Sequence, residues 1–135
     1  MAEGCQIREL PDGGQEFLLD EPSLSFIRID HQSRLQFGET EVVISSRFAV
    51  VRDGGVHRLD PQQSVGLGPL VSLFPGTVQW MWTSPEGSLT VVFRNGDVVS
   101  VDPDPSVRAW SVGSVYCLPT RSSEGGDDPA PRSSR

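Results

Sequence analysis

The stretch "GSLTVVFRNGDVVSV", residues 87–101, decides the fold class of this chain. Large apolar residues alternate with others in its first half, which is the period of a strand with one buried face. Asn95-Gly96 then supplies the dipeptide that most readily adopts a type I′ turn, whose twist matches that of paired strands. The valine-rich run after the turn returns along the first strand, so the stretch predicts an antiparallel hairpin.

A similar plan occurs upstream in "SRLQFGETEVVI", residues 33–44. Both stretches run from a small residue and a leucine to a Phe, then through a polar turn and an acid to Val-Val. The matched positions are Phe37 with Phe93, Glu41 with Asp97, and Val42-Val43 with Val98-Val99. A duplication and the sequence pattern that hairpins generally share explain this likeness equally well, and both predict an antiparallel sheet.

The stretch "TVQWMWTS", residues 77–84, predicts a further strand. Val78, Trp80 and Trp82 alternate there with Gln79 and Met81. We therefore expect the two tryptophans to share one face and to pack in the core, although exposed tryptophans could also anchor a partner.

One short helix interrupts the strands, within "LDPQQSVGLGPLVSLFPG", residues 59–76. Its glycines and prolines exclude a single long helix. We predict a short helix near 66–74, in which Leu70, Leu73 and Phe74 form one apolar stripe. The predicted fold class is mainly β (α+β): two antiparallel β-meanders, with duplication left open, joined by one short helix packed on the sheet.

The chain divides into three parts by composition. Residues 1–22 hold six acids against one arginine and form an acidic N-terminal arm, either mobile or added as an edge strand. Residues 23–119 form a single β-rich domain, since 135 residues are enough for one ordinary core. Residues 120–135 are rich in Ser, Gly, Pro and Asp and are predicted to be disordered.

The charge balance and the apolar runs exclude several classes of function. The net charge is −7 and no basic face is evident, so we expect no nucleic-acid binding. No apolar run approaches the length of a bilayer span, so we expect no membrane insertion. The N-terminus lacks the features of a secretion signal, which predicts a cytoplasmic protein whose two cysteines are free thiols.

The residues that could carry chemistry form no motif. Asp102 and Asp104 lack the further ligands of a calcium loop, and a proline after each indicates a strand end and a turn. His31 and His57 do not complete a zinc ligand set. Cys117 in "VYCLP" is typical of a small buried hydrophobe rather than a nucleophile served by His57. We expect no enzyme activity, no metal and no cofactor.

Trp110 is the tryptophan that we expect at the surface, with Arg108 two residues away on the same strand face. The guanidinium could stack on the indole ring or reach a carboxylate. Trp110, Arg108, Asp102 and Asp104 are therefore the candidate partner-binding residues.

Five segments in this order resemble a family of small, uncharacterised actinobacterial proteins. The segments are "IDHQSRLQF", "HRLDP", "LGPLVSLFPGTV", "GSLTVVFRNGDVVSVDPDPSVRAWSV" and "VYCLP". The resemblance covers roughly residues 24–119, and its most specific part is the "PDPxxxAW" segment ending at Trp110. It implies a one-domain fold with two strand blocks and a Leu-rich short helix. It implies no activity and no catalytic residue, because none is established for the family.

These observations favour a non-enzymatic module that binds a protein partner, of the kind that includes immunity proteins covering the active site of a toxin. The acidic balance would steer a basic partner toward it. A structural or regulatory subunit that adds an edge strand to another sheet is the first alternative, and the chain would then be a homodimer rather than a monomer. A small-ligand or enzymatic cleft containing His31, His57 or Asp102 is the second.

Overall fold

The computed structural model describes residues 4–63 and 65–117. The predicted disordered tail, residues 120–135, lies outside the described residues. The elements in chain order are β1 Cys5–Glu9, β2 Gln15–Leu19, β3 Phe26–Ile29, β4 Ser33–Phe37, β5 Thr40–Ile44, β6 Phe48–Arg52, β7 Gly55–Leu59, α1 Gly68–Val71, β8 Val78–Thr83, β9 Leu89–Phe93, β10 Val98–Val101, β11 Trp110–Val112 and β12 Val115–Tyr116.

The strands form two antiparallel sheets whose inner faces enclose one core. The larger sheet has seven strands in the order β1-β2-β8-β9-β10-β6-β7, and the smaller has five in the order β12-β11-β5-β4-β3. Buried and less buried residues alternate along most strands, as expected when one face of a sheet is covered. The predicted mainly β class is confirmed.

Each half of the chain builds a meander in one sheet and then sends a hairpin to the other. β3-β4-β5 forms a meander in the smaller sheet, and the β6-β7 hairpin that follows pairs with β10 in the larger sheet. β8-β9-β10 forms a meander in the larger sheet, and the β11-β12 hairpin that follows pairs with β5 in the smaller sheet. The predicted pair of meanders is therefore confirmed. Each half also adds a hairpin to the sheet that contains the meander of the other half.

The correspondence between the halves differs from the predicted one by one residue. The turn between β4 and β5 holds two residues, because Phe37 pairs with Thr40. The turn between β9 and β10 holds three, because the backbone N–H of Phe93 donates to the carbonyl of Asp97 at 2.8 Å. Phe37 thus corresponds to Phe93 as predicted, but Thr40, and not Glu41, corresponds to Asp97.

The turn type at Asn95-Gly96 also corrects the prediction. A type I′ turn needs positive φ at two successive residues, and here Gly96 takes φ of +98° while Asn95 does not have positive φ. The hairpin therefore uses a three-residue loop that ends in a left-handed glycine, which is the next most common solution. Two hydrogen bonds between Asn95 and Asp97 hold this loop.

The core lies between the sheets, and the corresponding phenylalanines of the two halves meet in it. The ring centroids of Phe37 and Phe93 are 6.4 Å apart at an interplanar angle of 38°. The largest fully buried side chains are Phe37, Phe93, Leu35, Ile44, Leu70, Leu73, Met81, Leu89, Val42, Val50 and Val91. Burial of these side chains is the main stabilising term of the fold.

A β-bulge in β8 reverses the predicted facing of the tryptophans. Val78 pairs with Phe93 and Trp80 pairs with Val92, so Gln79 is an extra residue without a partner on β9. After the bulge Met81 faces the core and is fully buried, whereas 53% of Trp80 is exposed. The prediction that Trp80 and Trp82 pack in the core is wrong, because regular alternation takes no account of the extra residue.

The helix is shorter than predicted. α1 spans Gly68–Val71, and a turn carries the chain on to the start of β8. Leu70 and Leu73 are buried as the predicted stripe requires, but about half of Phe74 is exposed. Two of the three stripe residues therefore pack in the core.

The N-terminal arm adds a hairpin to the edge of the larger sheet, which is one of the two predicted alternatives. β1 pairs with β2, and β2 pairs with β8 through Gln15 and Thr83. Phe17 on β2 is buried and belongs to the core. A Cβ at Gly14 would lie 2.1 Å from the Thr83 carbonyl oxygen, so only glycine permits this close approach.

The contact between Phe37 and Phe93 predicts energetic coupling between the two halves. Replacing either residue by leucine is expected to lower the free energy of unfolding by roughly 1 kcal/mol. The double variant is expected to show a coupling of about 0.5–1.5 kcal/mol, measured by urea denaturation as a double-mutant cycle. Additive effects would contradict the contact between the rings.

Candidate functional site

The outer face of the smaller sheet is an ordinary solvated surface. Its central row runs across the sheet through Arg28, Arg34, Val43, Ser111 and Tyr116. The guanidinium of Arg34 lies 3.3 Å from a Glu41 carboxylate oxygen and 3.4 Å from one of Asp30. Charged side chains that pair with one another are what an exposed sheet face normally presents.

The outer face of the larger sheet differs, because an uninterrupted row of apolar side chains crosses five of its strands. Residues directly opposite each other in an antiparallel sheet share a face, so the strand registers define the row. We call it the apolar row, and it consists of Val56, Val51, Val98, Val92 and Trp80. The two end residues are exposed, and the three valines between them are partly exposed.

A second row of mixed character lies beside the apolar row on the same face. It runs through Arg58, Ala49, Ser100, Thr90, Trp82, Glu16 and Arg8. An ion pair between Arg8 and Glu16 ends this row on the side of the N-terminal hairpin. Trp80 and Trp82 therefore both project outward from β8, Trp80 in the apolar row and Trp82 in the second row.

A groove of about 760 Å³ adjoins the apolar row at the β6 and β10 end of the sheet. Its lining comes from β6, β7, β10 and the two segments that cross between the sheets: Ser46, Arg47, Phe48, Ala49, Val51, Arg58, Ser100, Asp102, Pro103 and Asp104. Val51 belongs to both the groove and the apolar row. The groove and the row therefore form one continuous surface.

The predicted residues Asp102 and Asp104 both line this groove. Asp102 is exposed and accepts a hydrogen bond of 3.0 Å from the Ser88 hydroxyl. Asp104 accepts from the backbone N–H groups of Ser106 and Val107 at 2.8 and 3.2 Å. The predicted strand end and turn are confirmed, since β10 stops at Val101 and the Asp104 carboxylate holds the turn that follows.

Trp110 does not lie at the surface, contrary to the prediction. β11 pairs with β5 so that Trp110 stands opposite Ile44 on the inner face, and only 4% of the residue is exposed. Its Nε1–H donates to the Gly87 carbonyl at 2.8 Å, and its ring meets Phe17 edge-on at 6.3 Å. The polar end of the indole is thereby satisfied inside the protein.

Arg108 stacks on a different ring from the one predicted. Its guanidinium carbon lies 3.9 Å from the centroid of the Tyr116 ring, on the smaller sheet. The structure therefore separates the four candidate residues: Asp102 and Asp104 lie at the groove, while Arg108 lies on the outer face of the smaller sheet and Trp110 lies in the core.

The two histidines lie on different sheets. His31 lies in the turn between β3 and β4 of the smaller sheet, and His57 lies on β7, the edge strand of the larger sheet. Across residues 4–63 and 65–117, no group of three or more His, Cys, Asp and Glu side chains could hold a metal ion.

Cys117 is a buried thiol, as predicted, and both it and Cys5 are free cysteines. Its Sγ lies 3.5 Å from the Gly87 carbonyl oxygen and donates to it. Burial raises the pKa of the Cys117 thiol, which is the opposite of the shift that activates a cysteine nucleophile.

Residues 17–127 match a family described as "Family of unknown function (DUF6188)". The chain belongs to this family. The predicted membership of a domain family of unknown function is thereby confirmed, and the DUF6188 match begins within β2. No curated protein and no solved structure matches the chain.

Within the described ranges, no helix is long and apolar enough to span a membrane.

The sequence contains a signal for the apolar row that alternation alone did not reveal. Val50-Val51, Val91-Val92 and Val98-Val99 are Val-Val pairs on three neighbouring strands of the DUF6188 chain. Successive residues in a strand point to opposite faces, so each pair places one valine in the core and one outside. Three such pairs on adjacent strands predict an apolar stripe on the outer face.

The bulge in β8 makes a prediction about two neighbouring residues. Met81→Ala is expected to lower the free energy of unfolding by about 2–5 kcal/mol, because it removes a fully buried side chain. Trp80→Ala is expected to lower it by less than about 1 kcal/mol, because that ring lies outside the core. Chemical denaturation of both variants checks this. A larger loss of unfolding free energy for Trp80→Ala than for Met81→Ala would mean that the indole is buried, and it would contradict the bulge.

Proposed function

We propose that the chain is a non-enzymatic module that binds a protein partner through the outer face of its larger sheet. The observation that carries the proposal is the apolar row, which crosses five strands and whose residues are all at least partly exposed. Contiguous exposed apolar surface on a soluble domain is typical of a protein-interaction site.

The contrast between the two sheets supports this proposal. Both outer faces have the same strand geometry, yet the central row of the smaller sheet carries two arginines and a tyrosine, whereas that of the larger carries four valines and a tryptophan. Tryptophan is over-represented among the residues that dominate binding energy at interfaces. Trp80, with about half of its surface exposed, is the anchor residue in this proposal.

The charges on and around the face define the chemistry of the partner. The chain carries a net charge of −7, whereas the groove that continues the apolar row is balanced, with Asp102 and Asp104 beside Arg47 and Arg58 in its lining. A basic protein would be steered toward this chain at low ionic strength. We therefore propose a folded, basic partner whose apolar patch covers the row and whose Lys or Arg side chains reach the two carboxylates. A toxin blocked by an immunity-type inhibitor is one partner of this chemistry.

The composition of the groove favours binding over catalysis. Hydroxyl, carboxylate and guanidinium groups line it, and neither histidine nor Cys117 contributes to its described lining. A nucleophile with an adjacent base is the arrangement that most covalent catalysis requires. The groove offers instead a set of charged and polar groups around an apolar floor, which suits the rim of an interface.

Two valines provide a matched test of the binding face. Val92 lies in the apolar row, and Val43 is an outward valine at the centre of the smaller sheet. Partners captured from an extract of the source organism by the wild-type chain are expected to bind Val43→Lys equally well. They are expected to bind Val92→Lys at least about tenfold more weakly, because a charge would be buried at the interface.

The control for this experiment is the circular dichroism spectrum, which should be unchanged in both variants because lysine at either site can extend its charge into water. Equal binding by Val92→Lys and Val43→Lys would contradict the proposal. So would the absence of any partner that survives moderate salt.

A further inference from the structure

The described structure contains four strand edges, and β3 is the apolar one. β1 carries charged side chains, β7 carries glycine, histidine and arginine, and β12 has only two residues. β3 has the sequence Phe-Ile-Arg-Ile. Short edges and edge charges normally prevent strands from pairing with other chains, and β3 has only the short length and one arginine.

An apolar groove runs along this edge. The side chains that line it are Phe26, Ile27 and Ile29 of β3 with Val71 and Phe74 of the α1 region, and its volume is about 270 Å³. Four of these five residues have 43–52% of their surface exposed. An added strand at β3 would bury these side chains as well as satisfy the free backbone groups of the edge.

We infer that this edge pairs with the same edge of a second copy of the chain, in antiparallel orientation across a two-fold axis at Ile27. The smaller sheets of the two copies then form one continuous sheet. The inference is independent of the proposed partner site, which lies on the other sheet.

The facing of the β3 side chains limits the register. Ile27 lies opposite buried Leu35 and faces inward, as does Ile29 opposite buried Ser33, whereas Phe26 and Arg28 face outward. Residues opposite each other in a pair must share a face. An axis between Ile27 and Arg28 breaks this rule, because it sets outward Phe26 against inward Ile29.

Two registers remain for the middle of the strand, and in each the two-fold axis passes through a residue, either Arg28 or Ile27. An axis at Arg28 would set the arginines of the two copies against each other, and like charges directly opposite are destabilising. An axis at Ile27 sets isoleucine against isoleucine in the core layer and sets Arg28 against Phe26 on the outer face. The guanidinium then lies beside a phenyl ring, where a cation–π contact is favourable.

The Arg28 side chain forms an ion pair within its own chain. The Asp30 carboxylate lies 3.6 Å from Arg28 Nε and 3.4 Å from Arg34 Nε. The backbone N–H of Gln32, together with these two arginines, holds the pKa of Asp30 below its usual range. Arg28 therefore approaches the second copy with its guanidinium near Asp30 and still positively charged.

A second copy fits this edge better than an unrelated extended peptide does, because a two-fold contact contains the apolar groove of each copy. A two-fold contact brings together eight exposed apolar side chains, namely Phe26, Ile29, Val71 and Phe74 from each copy. A stable interface buries more than about 1,000 Å² in total, and a pair of four-residue strands alone would fall short of that area. The isologous arrangement adds the exposed parts of these eight side chains to the area that the two strands bury.

The molar mass of the purified chain, measured by light scattering during size exclusion over a range of concentrations, tests the inference. The wild type is expected to give the mass of a dimer. Phe26→Lys is expected to raise the dissociation constant at least about tenfold, because it sets two cations against each other. Phe26→Glu removes the same ring but sets a carboxylate against Arg28, and it is expected to retain more dimer than Phe26→Lys. Val56→Lys, at an edge of the larger sheet, is expected to remain dimeric.

The double variant Phe26→Lys with Arg28→Glu makes the register itself testable. It restores opposite charges across the axis and is expected to recover dimer relative to Phe26→Lys alone. A wild type that stays monomeric at every concentration would overturn the inference, and so would a dimer that Val56→Lys dissociates. Equal effects of Phe26→Lys and Phe26→Glu would overturn the register.

Discussion

One extra residue in β8 determines which side chains of this central strand enter the core and which lie on the outer face of the larger sheet. With Gln79 unpaired, Val78 and Met81 both face inward, although their spacing is not that of a regular strand. The same shift turns Trp80 and Trp82 outward, where they complete two rows across the sheet. Met81, an unbranched side chain, fills the position that an indole would otherwise have to occupy. The burial of Met81 and the place of Trp80 on the candidate binding face are therefore two consequences of one bulge.

The architecture could be predicted from local pattern, but the details of register could not. Alternation and the Asn95-Gly96 turn predict hairpins because both are local properties of the backbone. The one-residue error in matching the halves arose because the two turns differ in length, and sequence spacing alone does not show which loop residues are unpaired. The exchange of hairpins between sheets depends on long-range pairing. Nothing local to β6 predicts that it lies beside β10.

The candidate site was predictable only in part, for the same reason. Asp102 and Asp104 are candidates because two acids alternate there in sequence, and the structure places both at the groove. Trp110 was misplaced because a short strand with little alternation does not show which face is buried until its partner, β5, is known. The Val-Val pairs indicate the apolar row, because successive residues of a strand point to opposite faces and each pair therefore places one valine outside the core. Their significance depends on the adjacency of three strands that are distant in sequence.

The central outward rows of the two sheets thus differ in chemistry: that of the smaller sheet contains paired charges, and that of the larger sheet is apolar. Trp80 lies outside the core, and the proposed function requires that a partner covers it. Hydroxyl-radical footprinting with mass spectrometry tests it most directly, with buried Trp110 as the internal reference. The account predicts that Trp80 oxidises much faster than Trp110 in the purified chain and becomes protected in extract of the source organism. Equal, slow oxidation of both residues in the purified chain, or oxidation of Trp80 that is unchanged in the extract, would contradict it.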